Sequence, residues 1–347
     1  MVQQYLGDVG KTAEKASCPF TLTRRSVLLG VLFALCTIST GFAAAQNRAP
    51  PKVGVLWPGD ASAFGPYHQA FQEGMRTLGW VDGHNVRFIV RYGDSAPSRF
   101  RAVAAELVAL EVDVLVAEEQ TLPAVRQTAT TIPIVCGDFY DPIAQGFTSS
   151  LSRPDRNITG VSWQTIETAA KRLELVKELI PGVKRIAVLF QAGHPGAALD
   201  VKAVLSAAGG SNLTVRTFGV SDSRGIQAAF AAMKGDGTEA VIVSWNPLTE
   251  LKRHEISRFA SSIRLPTFSE GYAFAEAGVL LTYGIDGLEA FKRAAFFVDK
   301  ILKGAKPSEL PIEQPTVFEV AVNLKTAKAL KLTIPESVML RATKVIR

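Results

Sequence analysis

The run Val53-Gly54-Val55-Leu56-Trp57 is short, apolar and rich in valine, which is typical of a buried β-strand. Phe71, Met75 and Leu78 follow it at positions i, i+4 and i+7, so they form one apolar face of a helix that ends at Gly79. The same alternation returns three more times before residue 140. Strands that alternate with helices of this length predict βαβ units and a parallel sheet covered on both faces.

A second series of the same kind begins at Ile158-Thr159-Gly160-Val161-Ser162. Its predicted strands are Ile186–Phe190, Leu213–Phe218, Ala240–Ser244, Pro266–Ser269 and Val279–Tyr283. Amphipathic helices separate these strands, as in the first series. The chain is therefore predicted to hold two α/β layers of similar size.

The two layers are not separated by a Gly/Ser-rich linker, which predicts lobes joined by crossing strands that act as a hinge. The helix Leu288–Leu302 has the apolar face needed to cover the first sheet. We expect lobe 1 to comprise residues 50–162 plus 284–315, and lobe 2 residues 163–283 plus 316–347. The three crossings then fall near Val161–Gln164, Thr282–Asp286 and Thr316–Val320.

Composition excludes several classes of protein. The 347 residues are 47% hydrophobic and 20% charged, which excludes disorder and a fibrous fold. The 38 Lys and Arg residues are interleaved with 32 Asp and Glu residues, so no basic patch indicates nucleic-acid binding. Three cysteines make no disulfide framework, and Cys136 is expected to be a small buried hydrophobe.

Residues 1–45 have the order of a secretory signal peptide: Arg24-Arg25, the apolar stretch Val27–Cys36, and the small residues of Ala43-Ala44-Ala45 before Gln46. The segment around Arg24-Arg25 resembles a twin-arginine export motif, although Val27 stands where Phe is preferred, so both Tat and Sec export stay open. The bulky Leu35 before Cys36 argues against a lipoprotein. We expect an exported, periplasmic protein.

Motifs for the common kinds of catalysis are missing from the sequence. The segment after the first strand fails the G-x-G-x-x-G spacing of a dinucleotide site, and Gly-x-Ser-x-Gly does not occur. The four histidines include no pair at metal-ligand spacing. The sequence therefore predicts no cofactor, no metal and no catalytic residue.

Polar and aromatic side chains follow the predicted strands of both lobes, where open α/β sheets bind ligands. The candidate ligand-binding residues are Asp60, Ser62, Glu119, Gln120, Thr121, Asp138, Tyr140, Asp141, Gln191, Trp245, Asn246, Glu270 and Tyr272. Taken singly, several are good helix N-caps, and capping is the simpler interpretation of each. Their joint position at strand ends of both lobes favours a binding cleft.

The residue types in these loops favour an amino acid or a similar small amphiphile. Ser62 and Thr121 offer hydrogen-bond donors for a carboxylate. The possible acceptors for an ammonium group are Asp60, Glu119, Asp138 and Asp141. Aromatic contacts with the ligand are possible from Phe64, Tyr140, Trp245 and Tyr272, and core packing is the alternative for each of them.

Several stretches resemble the ABC-transporter substrate-binding family that includes tryptophan-binding members. They run from Phe71 to Val86, Asn157 to Ser162, Lys171 to Leu179, and Val298 to Pro307. The strongest resemblance is in Leu310 to Thr316 and Asn323 to Leu330. The resemblance implies the type I periplasmic binding fold, with two Rossmann-like lobes, parallel sheets and a three-crossing hinge.

The resemblance also implies a small-molecule ligand, an ABC permease and its ATPase subunit as partners, with no nucleic acid and no catalysis. We expect a monomer. The sequence departs from the family pattern at Glu118-Glu119-Gln120-Thr121 and at Trp245-Asn246-Pro247. Two alternative functions stay open at this point: a periplasmic ligand sensor and an uncharacterised small-molecule enzyme.

Overall fold

The computed structural model describes residues 49–347. The signal-peptide prediction for residues 1–45 lies outside the described residues. Within residues 49–347, no helix has both the length and the apolar character that a membrane span requires. The described chain forms one compact unit from Pro50 to Arg347 that contains two sheets.

The first sheet has five parallel strands in the order β2-β1-β3-β4-β5. Its strands are β1 Lys52–Trp57, β2 Arg87–Tyr92, β3 Val114–Ala117, β4 Ile134–Phe139 and β5 Ile158–Ser162. The helices α1 Ala61–Thr77, α2 Pro97–Ala109 and α3 Leu122–Thr128 connect them. Every residue of β3, β4 and β5 is buried, as expected for a parallel sheet covered on both faces.

The second sheet has seven strands in the order β12-β11-β10-β9-β8-β6-β7. Its strands are β6 Arg185–Gln191, β7 Thr214–Val220, β8 Ala240–Val243, β9 Thr267–Ser269, β10 Leu281–Gly284, β11 Glu319–Asn323 and β12 Lys344–Ile346. Only the β10–β11 pair in this sheet is antiparallel. The helices are α4 Thr165–Leu179, α5 Pro195–Ala208, α6 Ser223–Gly235, α7 Pro247–Leu251, α8 Arg253–Ser262 and α9 Tyr272–Glu276.

The long helix α10, Gly287–Leu302, follows the second sheet in the chain but packs on the first sheet and on α1. Its Phe291 ring lies 4.8 Å from Trp57, centroid to centroid. Gly74 of α1 lies against the backbone carbonyl of Lys292, where a Cβ would come within 2.4 Å of the oxygen. Helices α10 and α1 therefore pack closely together, and the apolar face of α10 covers the first sheet.

The chain passes between the sheets three times. It leaves β5 at Ser162 to enter α4, and it leaves β10 at Gly284 to enter α10. It returns after Glu313, which bridges Val161 of the first sheet, to reach β11. The described chain ends with α11 Leu324–Leu330, α12 Glu336–Arg341 and β12, the edge strand of the second sheet. The α/β fold class with parallel-rich sheets in two lobes is confirmed.

Two local features differ from the sequence expectation. The sequence between β8 and β9 predicts one helix over residues 249–263, but the structure has two, α7 and α8, because the chain turns at Lys252 between them. The strand β12 was not predicted, since three residues are too few for a periodic pattern. It pairs in parallel with β11 and extends the second sheet at its edge.

Gly160 provides a test of how closely β4 and β5 must approach. Its φ is 147°, and a Cβ would lie 1.8 Å from the carbonyl oxygen of Cys136. Gly160→Ala should therefore lower the free energy of unfolding by more than about 2 kcal/mol. Denaturant titration measures this, with Gly235→Ala as the control because a Cβ there meets nothing within 4 Å. Equal stability of the two variants would contradict the strand contact.

Candidate ligand-binding cleft

The loops at the carboxyl ends of the two sheets face each other and make contact. The hydroxyl group of Tyr140, which follows β4, donates to the backbone carbonyl of Trp245, which follows β8. Gly196 of α5 lies against the Tyr140 ring and the Glu119 carboxyl group. Tyr140 therefore stands at the centre of a cleft between the lobes.

Three buried carboxyl groups lie on the lobe 1 side of this cleft, on Glu118, Glu119 and Asp138. The Glu119 amide donates to Asp138 Oδ1 at 3.0 Å, and the Tyr140 amide donates to Glu119 Oε2 at 2.6 Å. The second oxygen of each carboxyl group accepts no N–H or hydroxyl hydrogen bond among the described residues, but the Glu118 and Asp138 carboxyl groups are close enough to be joined by a shared proton. The Gln145 amide approaches Glu119 and favours its charged form without completing a hydrogen bond of normal geometry. Together these groups form an acidic cluster.

Burial makes the acidic cluster hard to ionise. It raises the pKa of Glu119 to about 8 and that of Asp138 to about 7. Burial also raises the pKa of Glu118 well above its usual range, and the neighbouring Asp138 charge adds to this effect. At neutral pH, protons therefore neutralise part of the cluster. An ammonium group that entered the cleft would displace these protons.

A second polar cluster lies on the lobe 2 side. Arg172 of α4 is fully buried and donates to Asp200 of α5, and it also lies 3.3 Å from Glu270 at the end of β9. A further bond of 2.9 Å joins the guanidinium to the Thr168 hydroxyl group. Burial raises the pKa of Glu270 to about 8, although Arg172 opposes the shift. Three elements of lobe 2 are thus joined by one guanidinium.

Lobe 2 also presents hydrogen-bond donors beside Tyr140. The His194 ring lies 5.5 Å from the Tyr140 ring, and burial lowers the pKa of His194 to about 4, so the imidazole is neutral. His194 Nδ1 accepts from the Ala197 amide at 3.0 Å, which places the proton on Nε2. His194 Nε2, Arg172 Nε and Ser244 Oγ are buried and have no hydrogen-bond partner among the described residues.

An aromatic group adjoins these polar clusters. The Trp245 ring lies 4.5 Å from Trp163 and 6.2 Å from Tyr67, centroid to centroid. Tyr67 in turn lies 5.6 Å from Phe291 of α10. All four side chains are buried. The cleft therefore joins charged, hydrogen-bonding and aromatic surfaces, an arrangement suited to a small amphiphile.

The structure brings five of the sequence-predicted residues together: Glu119, Asp138, Tyr140, Trp245 and Glu270. Their contact with a ligand stays a prediction. Gln120 and Thr121 lie in the turn between β3 and α3, and the buried Gln120 Oε1 has no hydrogen-bond partner among the described residues.

The other predicted residues have local structural partners. Asp60 caps α1 by accepting from Ser62 and Ala63, Ser62 is exposed, and Asp141 accepts from two amides of its own turn. Asn246 caps α7, and Gln191 accepts from the Leu248 amide. Tyr272 lies under the Lys344 ammonium group at 4.5 Å. Capping or packing accounts for these residues, and ligand contact stays a prediction for them too.

Four polar residues of the cleft were missed from the predicted set: Glu118, Arg172, Asp200 and His194. Glu118 and His194 lie in strand-end loops, so their positions carried the same signal as Glu119. Arg172 and Asp200 lie inside helices, next to the buried Leu173 and Val201. A charged residue among the buried positions of an amphipathic helix was the signal available for both.

The class of protein defined by this fold and cleft agrees with comparisons to known proteins. A family model described as ABC transporter substrate binding protein matches residues 52–346. The chain belongs to this family, whose members bind substrates and are not enzymes. Structural neighbours confirm the type I periplasmic binding fold.

Particular relatives are similar over most of the chain. A tyrosine-binding protein of Clostridioides difficile (strain R20291) is 25% identical over 272 residues, which is 76% of each chain. The structure of an ABC domain in complex with L-Trp from Streptococcus pneumoniae is 25% identical, has a TM-score of 0.80, and covers 86% of this chain and 100% of that chain. A conserved domain protein from Vibrio cholerae has the same TM-score and coverage at 24% identity.

Gly196 allows the two lobes to come into contact, so a substitution at this position tests that contact. A Cβ there would lie 2.6 Å from both Glu119 Oε1 and the Tyr140 ring. Gly196→Ala should keep α5 intact, because alanine favours a helix, but should hold the lobes apart. Small-angle scattering should therefore give a larger radius of gyration than for wild type. Gly65→Ala is the control, and identical curves for all three proteins would contradict the lobe contact.

The buried carboxyl groups also predict how stability depends on pH. Glu119 has an ordinary pKa of 4.5 and a folded pKa of about 8, so its proton stabilises the fold fully below about pH 4.5. That stability is lost as the pH rises towards 8, and Glu270 acts in the same direction. The free energy of unfolding should therefore fall between pH 5 and pH 8. Denaturant titrations should show a weaker decrease for Glu119→Gln, and an unchanged decrease would contradict the assignment.

Proposed function

We propose that this protein is the extracytoplasmic solute-binding component of an ABC importer. It captures a small amphiphile with an amino group, an amino acid above all, in the cleft around Tyr140. It then delivers this ligand to a membrane permease driven by an ATPase subunit. The family match supports the binding role, and the relatives named for tyrosine and L-Trp favour an amino acid.

One observation carries the choice of ligand. On the lobe 1 side, one oxygen each of Glu118, Glu119 and Asp138 receives no N–H or hydroxyl hydrogen bond from the described residues, although a shared proton can join Glu118 to Asp138. On the lobe 2 side, the donors His194 Nε2, Arg172 Nε and Ser244 Oγ have no acceptor among the described residues. Acceptors suit an ammonium group and donors suit a carboxylate, so a zwitterion would satisfy both sides at once. Buried polar groups are costly until they are paired, so such a ligand would favour contact between the lobes.

The two lobes are proposed to move about a hinge with the boundaries given by the sequence: residues 50–162 plus 284–315 as lobe 1, and 163–283 plus 316–347 as lobe 2. Three short connections restrict the motion to opening and closing. A bond of 2.6 Å from Gln164 Nε2 to the Pro315 carbonyl joins two of these connections. A ligand stabilises the closed form by its difference in affinity between the closed and open forms.

Export is part of the proposal. Residues 1–45 act as a Sec or Tat signal peptide, and the mature protein works in the periplasm as a monomer. The family match is the support for an extracytoplasmic location.

The experiment that tests the function identifies the ligand directly. Protein purified without denaturation is unfolded, and mass spectrometry identifies what it releases. Calorimetry then ranks the common amino acids, a sugar and a purine. We expect an amino acid to be released unaltered and to bind in this panel. A chemically altered ligand would contradict the binding role, and heat from the sugar or purine alone would contradict the ligand class.

A variant tests the place of binding. Glu119→Gln removes a carboxyl group that could ionise to pair with an ammonium group, and it should weaken the affinity for the amino acid at least about tenfold, which is about 1.4 kcal/mol. Glu276→Gln is the matched control, because Glu276 is exposed at the end of α9. Equal affinities of the two variants would show that the ammonium group binds elsewhere.

A further inference from the structure

Trp245 reaches from lobe 2 into an aromatic pocket formed by lobe 1 and the first chain crossing. It follows β8 of the second sheet, whereas its ring neighbours Tyr67 and Trp163 belong to α1 and to the end of β5. The Trp163 ring is held by a bond of 2.8 Å from its Nε1 to the Gly137 carbonyl. The indole of Trp245 is only 1% exposed. It therefore fills the space between the Tyr67 and Trp163 side chains.

Trp245 is held by hydrogen bonds of both its indole and its backbone. Its Nε1 donates to Glu250 Oε2 at 3.1 Å, and the Trp245 carbonyl accepts from the Tyr140 hydroxyl group. The next residue, Asn246, forms a capping box with Thr249 at the start of α7. The Asn246 and Thr249 side chains also donate to the Ser244 carbonyl, at 3.0 and 2.7 Å. The backbone on both sides of Trp245 is therefore held in one conformation.

We propose that Trp245 occupies the part of the cleft in which the aromatic side chain of a ligand would pack, and that it restricts the ligand to small amines such as amino acids without an aromatic ring. The ligand class rests on the proposed function. The occupation of the pocket rests on the contacts of Trp245 alone. This selectivity differs from that of the relatives named for tyrosine and L-Trp.

An aromatic ligand would have to displace this side chain. Displacement would remove the contacts with Trp163 and Tyr67, and aromatic pairs stabilise beyond the area that they bury. It would also leave Glu250, a buried carboxyl group, without the indole donor. A small amine avoids both losses. Tyr140 lies between the acidic cluster and the aromatic pocket. Its amide donates to Glu119, and its hydroxyl group donates to the Trp245 carbonyl.

Trp245→Gly tests the occupation of the pocket with indole as the probe. The variant should bind indole in calorimetry with a Kd at least tenfold below that of wild type, and indole should raise its melting temperature. Trp80→Gly is the matched control. It removes an indole that donates to Asp299 within lobe 1, and the variant should gain no such binding.

The wild-type protein supplies a test that does not depend on a variant folding. L-Alanine and L-serine should bind at least tenfold more tightly than L-tryptophan and L-tyrosine. In Trp245→Gly, the affinity for L-tryptophan should rise at least tenfold. Wild-type protein that binds L-tryptophan or L-tyrosine as tightly as L-alanine would overturn the inference.

The two proposals fail in different ways. If wild type binds small amino acids but Trp245→Gly gains affinity for neither indole nor L-tryptophan, the amino-acid function stands and the role of Trp245 is wrong. If Trp245→Gly binds indole while wild type binds no amino acid in the panel, Trp245 does fill an aromatic pocket. In that case the proposed ligand class is wrong.

Discussion

Five carboxyl groups are buried around Tyr140, and Arg172 is the permanently charged base buried with them among residues 49–347. These carboxyl groups belong to Glu118, Glu119, Asp138, Asp200 and Glu270. Water cannot solvate them there, so each must be protonated, paired or matched by a ligand. Arg172 pairs with Asp200 and Glu270, which leaves the lobe 1 cluster to protons or to a cation. Under the proposed function, this imbalance of charge favours an ammonium group as the ligand.

The fold places this imbalance where it can respond to a ligand. Parallel strands end at one edge of each sheet, so the acidic cluster and the Arg172 cluster meet across the cleft instead of lying in separate cores. Gly196 lets the lobes approach closely enough for Tyr140 to bond to the Trp245 carbonyl. A ligand that neutralised the acidic cluster would therefore be coupled to the contact between the lobes.

Much of this architecture is predictable from local patterns. Apolar runs and helical spacing predict the two sheets, and the apolar face of the helix Leu288–Leu302 predicts that it covers the first one. Strand-end positions predict Glu119, Asp138 and Tyr140 as cleft residues. These positions do not distinguish a ligand contact from a helix cap. Asp60 and Asn246 are also polar residues at strand ends, and in the structure they cap helices.

Other parts of the site depend on tertiary contacts that no local pattern encodes. Arg172 lies inside a helix, and its partners Asp200 and Glu270 come from distant segments. Trp245 was predicted at the cleft, but its insertion between Tyr67 and Trp163 follows from the approach of the two lobes. The raised pKa of Glu119 likewise follows from burial, which the sequence does not give for a single loop residue.

Proton release on ligand binding tests the central claim most directly. Calorimetry at pH 7 is performed in two buffers with different ionisation enthalpies, using the amino acid that binds most tightly. If the ammonium group displaces protons from Glu119 and Asp138, binding releases about one proton, and the observed enthalpy changes with the buffer by the corresponding amount. The affinity should fall as the pH is lowered, because protons then compete more strongly with the ammonium group for Glu119 and Asp138. Tight binding at pH 7 with the same enthalpy in both buffers would contradict the account, because the ligand would then leave the protonation of the acidic cluster unchanged.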